Sequence, residues 1–311
     1  MALFSLTEDV AGIDIADGTI TASHVNRTGR GVVELRHAGW TTYDPGISDR
    51  GLASAVRGLW RQCGMPTTTV CSCLRSHSLA FRHFKYENIT SEELAPALWL
   101  QGEETLQMPR RDIAMDWRLN PGTPSGGKTT EGLLLAASKQ AVDRQLDILA
   151  MAGLYPVILD VGSMAIGNLF LELNPGSVPQ EPLCLMSLSP HAADVAILCD
   201  RERIYPHTIT FQAATGQASL PYLCENIADV LKHYQYKLRR DPVKRLVVTG
   251  QTPEPERLSA AFQERIGLPV DVWDPLPRLE VRGSGLARRL AADKSVGPLL
   301  ATSLGLALRR D

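Results

Sequence analysis

The sequence predicts an α/β protein built as two lobes on a common plan. Three observations carry this expectation. The order strand, strand, strand, helix opens the chain and recurs after residue 183; a Pro- and Gly-punctuated stretch, 174–182, separates the two occurrences; and 311 residues exceed one compact domain of roughly 100–200 residues. Hydrophobic residues at 44% and charged residues at 21% supply an ordinary globular core, which excludes disorder as the dominant state.

The first forty residues read as three strands, 10–15, 19–25 and 32–40, because β-rich runs flank the turns Ala16-Asp17-Gly18 and Thr28-Gly29-Arg30-Gly31. Leu52, Ala55, Val56, Leu59 and Trp60 then recur at helical spacing and predict a helix over 49–63 lying on that sheet, stopped by Gly64 and Pro66. Strands follow at 68–73 and 79–84, then a helix over 92–106 capped by Thr90 or Ser91, a strand 112–119, a polar turn 120–130 and a strand 132–137. Ser138 caps a helix over 139–152 that Gly153 ends; a strand 156–161 and a helix 164–173 complete this half.

After the linker come strands 183–189, 194–200 and 203–210, and a long helix from about 220 to 238. A strand 245–249, a helix 256–266, a short strand 270–273, an irregular polar stretch and a small-residue helix over 299–308 follow. A duplicated three-strand-and-helix unit on either side of a hinge is the plan of a two-lobed nucleotide clamp.

Composition closes several functional classes. With 32 basic against 34 acidic residues, a net charge of −2 and a pI near 6.4, no bulk basic surface exists for nucleic acid. Cys63, Cys71, Cys73, Cys184, Cys199 and Cys224 show no C-x-x-C spacing and read as buried hydrophobes in a reducing cytosol. The N-terminus meets Glu8 and Asp9 before any long apolar run, so no signal peptide is expected. The longest apolar runs fall short of the roughly 20 residues that span a bilayer. No G-x-S-x-G motif occurs, no base is indicated for any cysteine, and His77 and His83 lack metal-ligand spacing. The basic run 237–245 reads as a solvated helix end, where cations favour the C-terminal dipole, with contact to anionic lipid headgroups as the alternative.

One motif is complete. Gly122-Thr123-Pro124-Ser125-Gly126-Gly127-Lys128-Thr129 satisfies G-x-x-x-x-G-K-[ST], the pattern of a P-loop NTPase. A P-loop needs a buried strand before it and a helix N-terminus directly after it. Here the following segment reads as a strand, so a hairpin turn rich in Gly, Pro, Ser and Thr is the expectation, with a P-loop NTPase using Lys128 as the alternative.

Several short segments, in order along nearly the whole chain, carry a family resemblance. They are Gly12-Ile13-Asp14-Ile15; Ser78-Leu79-Ala80-Phe81-Arg82; Ser91-Glu92-Glu93-Leu94; Trp99-Leu100-Gln101-Gly102-Glu103 followed by Met108-Pro109; Leu134-Leu135-Ala136-Ala137-Ser138-Lys139; Ala152-Gly153-Leu154-Tyr155-Pro156 and Asp160; Val248-Thr249-Gly250; Asp274-Pro275-Leu276; and Ser303-Leu304-Gly305-Leu306-Ala307-Leu308-Arg309. The chain resembles PilM, the actin-like cytoplasmic family of type IV pilus assembly, and its relatives in MSHA-type pili. The resemblance implies an actin-like (actin/Hsp70/sugar kinase-type) two-lobed fold. It implies a first lobe 1–178 with a small inserted subdomain at about 75–137, a second lobe 183–298, and a closing helix 299–311 that returns to the first lobe.

The resemblance also implies ATP and Mg²⁺ as the fold's cofactors, held by two phosphate hairpins and an adenosine segment. It places Asp14, Asp17, Gly18 and Thr19 on the first hairpin, Ser187 and Ser189 on the second, and Gly250 on the adenosine segment, with Asp14 holding Mg²⁺ through water; a turn acid is the plain alternative for Asp14. The departures fall on these same segments. Ala16 stands where the family usually has Gly, Ser187-Leu188-Ser189-Pro190-His191 replaces an Asp-x-Gly hairpin, and Gln251 stands where a second Gly would admit the nucleotide. The second acid is therefore expected to be missing and nucleotide binding to be degenerate or lost.

The function expected is a cytoplasmic scaffold or adaptor of a type IV pilus or related secretion platform, peripheral to the inner membrane through the cytosolic tail of a PilN-like single-pass membrane protein. No catalytic residue is assigned; an active actin-like ATPase is the enzyme alternative. Other platform components and a second copy of the chain are further candidate partners. By the resemblance the tail lies between the first lobe and the inserted subdomain, where Leu79, Phe81 and Trp99 would offer apolar contacts and Arg75 or Arg82 a cation. The alternative is that Phe81 and Trp99 form the subdomain's own small core.

Overall fold

Asp17 and Gly18 make the first turn, with Gly18 at φ +79°, where glycine alone avoids strain. The turn joins β1 (Ala11–Ala16) to β2 (Thr19–Arg27), and β3 (Val33–Thr42) completes the meander. The computed structural model describes residues 10–28, 32–75, 79–120, 122–123, 128–175, 181–199, 204–210, 220–237, 240–252 and 255–309. Helix α1 (Asp49–Gln62), capped by Ser48, buries Leu52, Ala53, Val56, Leu59 and Trp60 as its periodicity requires. β4 (Thr69–Cys73) then lies parallel to β1.

The chain next leaves this sheet for a small three-stranded one. β5 (Leu79–Glu87), α2 (Ser91–Leu106), β6 (Ile113–Leu119) and β7 (Thr129–Ser138) form it, in the order β5-β7-β6. Thr90 and Glu93 close a reciprocal capping box at the start of α2. The subdomain's core is Phe84, Leu94, Leu98 and Leu134, so the small-core alternative for Phe81 and Trp99 does not hold; both are only half-buried. The chain returns through α3 (Lys139–Ala152), β8 (Tyr155–Asp160) beside β4, and α4 (Gly162–Leu173).

The second lobe repeats the meander with β9 (Leu183–Leu188), β10 (Ala192–Leu198) and β11 (Ile204–Thr210), followed by α5 (Leu220–Lys232). α5 ends six residues before the expected 238, passing into a π-helical turn over His233–Lys237. β12 (Arg245–Gly250), α6 (Pro255–Ile266) and β13 (Val270–Val272) complete a sheet of order β11-β10-β9-β12-β13. The linker prediction at 174–182 falls mostly on 176–180, outside the described residues.

The stretch expected to be irregular is ordered. β14 (Glu280–Val281) joins the first sheet beside β3, and α7 (Ser284–Ala292), α8 (Val296–Leu299) and α9 (Ala301–Ala307) follow. The first sheet thus reads β14-β3-β2-β1-β4-β8, and the chain touches the first lobe at 280 as well as in its last helix. Two residues of strand and a nine-residue helix carry too little periodicity to be read without the sheet they complete.

Stacked in space, the elements form five layers. α1 and α3 cover the outer face of the first sheet, α4 and α9 lie between the two sheets, and α5 and α6 cover the second sheet's outer face. One core containing Leu35, Ile166, Leu169, Leu185, Leu198, Leu300 and Leu304 runs from sheet to sheet. α4 is apolar nearly all round because it is buried on both sides. None of the described helices is long and apolar enough to cross a membrane.

Candidate functional site

The β1–β2 and β9–β10 hairpins, one from each lobe, meet across a cleft, and the Arg75 side chain joins them. Arg75, on the connection from β4 to β5, donates from Nε to Asp14 Oδ1 (2.9 Å), from Nη2 to Asp14 Oδ2 (2.8 Å), and from Nη1 to Asp194 Oδ2 (2.8 Å). Thr208 Oγ1 donates to the other oxygen of Asp194 at 3.0 Å. The bidentate fork on Asp14 is the strong geometry for a guanidinium and a carboxylate. Burial opposes the charge on Arg75, but Asp14 and Asp194 outweigh it and hold the guanidinium pKa well above its ordinary range. Burial likewise pushes the Asp194 carboxyl up against the pull of Arg75.

Asp194 was not found from the sequence. The second hairpin carries Ser187 where the family resemblance implies an acid, and in the antiparallel register Asp194 lies directly opposite Ser187. The expectation of a missing second acid is therefore corrected: a carboxylate is present, delivered by the return strand. The signal was a lone charge in the run Ala192-Ala193-Asp194-Val195-Ala196-Ile197-Leu198, all of which is buried except half-buried Ala192.

Other residues bridge the lobes nearby. Gln251 Nε2 donates to Thr19 Oγ1 at 2.9 Å, and the Gln251 amide donates to Leu188 O at 2.8 Å. Gly250, at φ +83°, packs so tightly on β9 that a Cβ there would stand 2.3 Å from Leu188 O. Asp17 is exposed in the first turn, whereas Asp14, Thr19 and Ser187 are buried. Ser189 caps the second turn, its hydroxyl and amide both donating to Ala192 O. The seven positions named for the nucleotide thus lie on the facing hairpins and the end of β12, with Gln251 and the Arg75 guanidinium among them.

A second concavity lies between the inserted subdomain and the first lobe. Trp99, Arg110, Arg111, Ile113, Ala114, Lys139, Val142 and Asp143 line it, with a volume of about 690 Å³. The Arg110 guanidinium stacks 4.4 Å from the Trp99 ring. Of the five residues named for a partner, Trp99 lines this groove. Leu79, Phe81 and Arg82 sit on β5, across β7 from the groove's edge strand β6, and Arg75 is held in the cleft. β5 instead meets the second lobe, where the His83 ring lies 4.4 Å from that of Tyr205.

The G-x-x-x-x-G-K-[ST] motif falls in the β6–β7 connection, with Pro124–Gly127 outside the described residues. Thr129 opens β7, antiparallel to β6, so strand rather than helix follows and the P-loop arrangement is not formed. Lys128 is exposed. Lys128→Ala is expected to shift the melting temperature by no more than about 1 °C. Thermal unfolding of the variant checks this; a loss of several degrees would show that Lys128 has a structural partner.

The comparisons with known proteins agree with this architecture. The family described as type IV pilus assembly protein PilM matches residues 12–219. A solved "PilM-PilN type IV pilus biogenesis complex" contains a chain similar to this one with a TM-score of 0.82 at 17% identity, covering 97% of this chain and 98% of that one. Ethanolamine utilization protein EutJ from Carboxydothermus hydrogenoformans is similar at TM-score 0.51 and 12% identity, covering 96% and 88%. The cytoplasmic domain of EpsL, an inner membrane component of the type II secretion system of Vibrio cholerae, is similar at TM-score 0.51 and 11% identity, covering 93% and 95%. The fold is actin-like.

Proposed function

We propose, for a chain that belongs to the type IV pilus assembly protein PilM family, that it is a cytoplasmic adaptor that receives the cytosolic tail of a PilN-like membrane protein without using nucleotide. The observation that carries the adaptor reading is the groove at Trp99. Its buried and half-buried surface is apolar (Trp99, Ile113, Ala114, Val142), while the exposed charges around it are Arg110, Arg111 and Lys139 against one acid, Asp143. Its wall β6 is an edge strand whose outer backbone groups suit an extended peptide. A tail carrying apolar anchors and a carboxylate fits such a surface.

The cleft supports the second half of the proposal. Mg²⁺ with a nucleotide needs free carboxylates and space between the hairpins. Here both carboxylates are engaged by Arg75, and Gln251 reaches across to Thr19. These residues do not fit Mg–ATP. The adaptor acts at the membrane through its partner's anchor, with pilus or secretion platform components as further contacts.

Titrating a labelled tail peptide of the PilN-like protein into the full chain tests the adaptor reading. Micromolar binding is expected, and Trp99→Ala is expected to weaken it about 30-fold, as for a buried aromatic anchor, with the fold retained. No binding at millimolar peptide overturns the adaptor reading. Calorimetry with Mg–ATP tests the other half: no heat of binding is expected, and submicromolar affinity overturns it.

A further inference from the structure

Arg75 belongs to the first lobe by sequence, yet it ties down a carboxylate of each lobe. Its side chain is 20% exposed, and those of Asp14 and Asp194 are 7% and 5% exposed. Two carboxylates brought this close in a low-dielectric place repel each other strongly unless a cation lies between them. The trio still carries one negative charge in excess. Asp194 lies against the first residue of α4, where a Cβ on Gly162 would stand 2.0 Å from Asp194 Oδ2, and the amide end of that twelve-residue helix favours the excess charge. The arrangement is therefore complete without any ion from solution.

We propose that Arg75 is a built-in cation that clamps the two lobes shut, and that Asp14 and Asp194 become a divalent-cation site only when its guanidinium is removed. The clamp goes beyond the adaptor reading and stands whether or not a tail peptide binds, because it concerns the cleft and not the groove. The geometry supplies its direction: Arg75 approaches from the segment that leads into the inserted subdomain, so the clamp joins both lobes at the subdomain's root. The Gln251–Thr19 hydrogen bond is a second tie, from the residue after β12 to the start of β2.

Hydrogen exchange at the two hairpins and thermal unfolding with and without 5 mM MgCl₂ test the clamp on the full chain. The wild type is expected to exchange slowly there and to melt at the same temperature with or without Mg²⁺. Arg75→Ala is expected to exchange at least about 10-fold faster in both hairpins and to melt roughly 10 °C lower, with Mg²⁺ restoring several degrees. Asp194→Asn keeps the Arg75–Asp14 pair, so it is expected to open the hairpins without any response to Mg²⁺, and it keeps the test decisive if Arg75→Ala does not fold. Wild-type protection of the hairpins in Asp194→Asn overturns the clamp, as does stabilisation of the wild type by Mg²⁺. An Arg75→Ala protein that opens but ignores Mg²⁺ overturns the cation-site half. Tail-peptide titration on the same samples reads the adaptor function separately.

Discussion

Gly305→Val is expected to lower the melting temperature by about 10 °C or more, or to prevent soluble expression. α9 shares with α4 the layer between the two sheets, and it approaches its neighbours backbone to backbone. A Cβ at Gly305 would stand 2.1 Å from Ala165 O in α4, and one at Gly12 in β1 would stand 2.0 Å from Ser303 O and 2.5 Å from Ala307 N. Neither obstruction is a flexible side chain that can turn away, so the helix must move, and both sheets share its core. Overpacking of this kind, against backbone that cannot turn away, costs about 3 kcal/mol or more, a large part of the stability of an ordinary protein. Gly12→Val is expected to act alike. Gly285→Ala in α7, where a Cβ meets nothing within 4 Å, is the control and is expected to change stability by less than about 1 kcal/mol. Thermal unfolding of the three variants is the measurement; a melting temperature within about 2 °C of wild type for Gly305→Val would rule out this packing of α9.

Stability is expected to fall between pH 6.5 and 4, and His83 is expected to account for about 2–3 kcal/mol of the fall. Burial against the second lobe, with Arg240 and His233 opposing the charge, pushes the His83 pKa down to about 4. The unfolded chain, titrating near 6.5, then binds more protons than the folded one throughout that window. The contribution is fully present above 6.5 and is lost as the pH falls toward 4; the magnitude is discounted because the ring is partly exposed. The His83 ring lies on Tyr205, so acidification should first loosen the seat of the inserted subdomain on the second lobe. Urea unfolding at pH 7.5 and 4.5 for wild type and His83→Gln checks this, and equal pH dependence in the two proteins would remove His83 from the account.

The sequence by itself determined the elements whose pattern is local. The Asp17-Gly18 turn, the period of α1, the Thr90 cap of α2 and the Gly153 stop of α3 are each written in a few consecutive residues, and each forms close to where it was read. The two three-strand meanders followed from the same alternation and turn chemistry, and the actin-like fold was legible from segments spread along the chain. The complete P-loop pattern was disarmed by the strand-like run after it, a local signal as well.

The tertiary structure alone decided what the cleft contains. Asp194 and Ser187 are seven residues apart in sequence and opposite each other only through hairpin register, while Arg75 is 61 residues from Asp14 and 119 from Asp194. No local pattern encodes that convergence, because a guanidinium chooses its partners by where the folded backbone leaves carboxylates in low dielectric, not by spacing along the chain. β14 has two residues and is a strand only because β3 offers an edge to pair with. For the same reason Arg75, Leu79, Phe81, Arg82 and Trp99, neighbours in a sequence argument, divide among the cleft, β5 and the groove: β5 and β6 are opposite edges of one small sheet, and only the fold says which edge faces the first lobe.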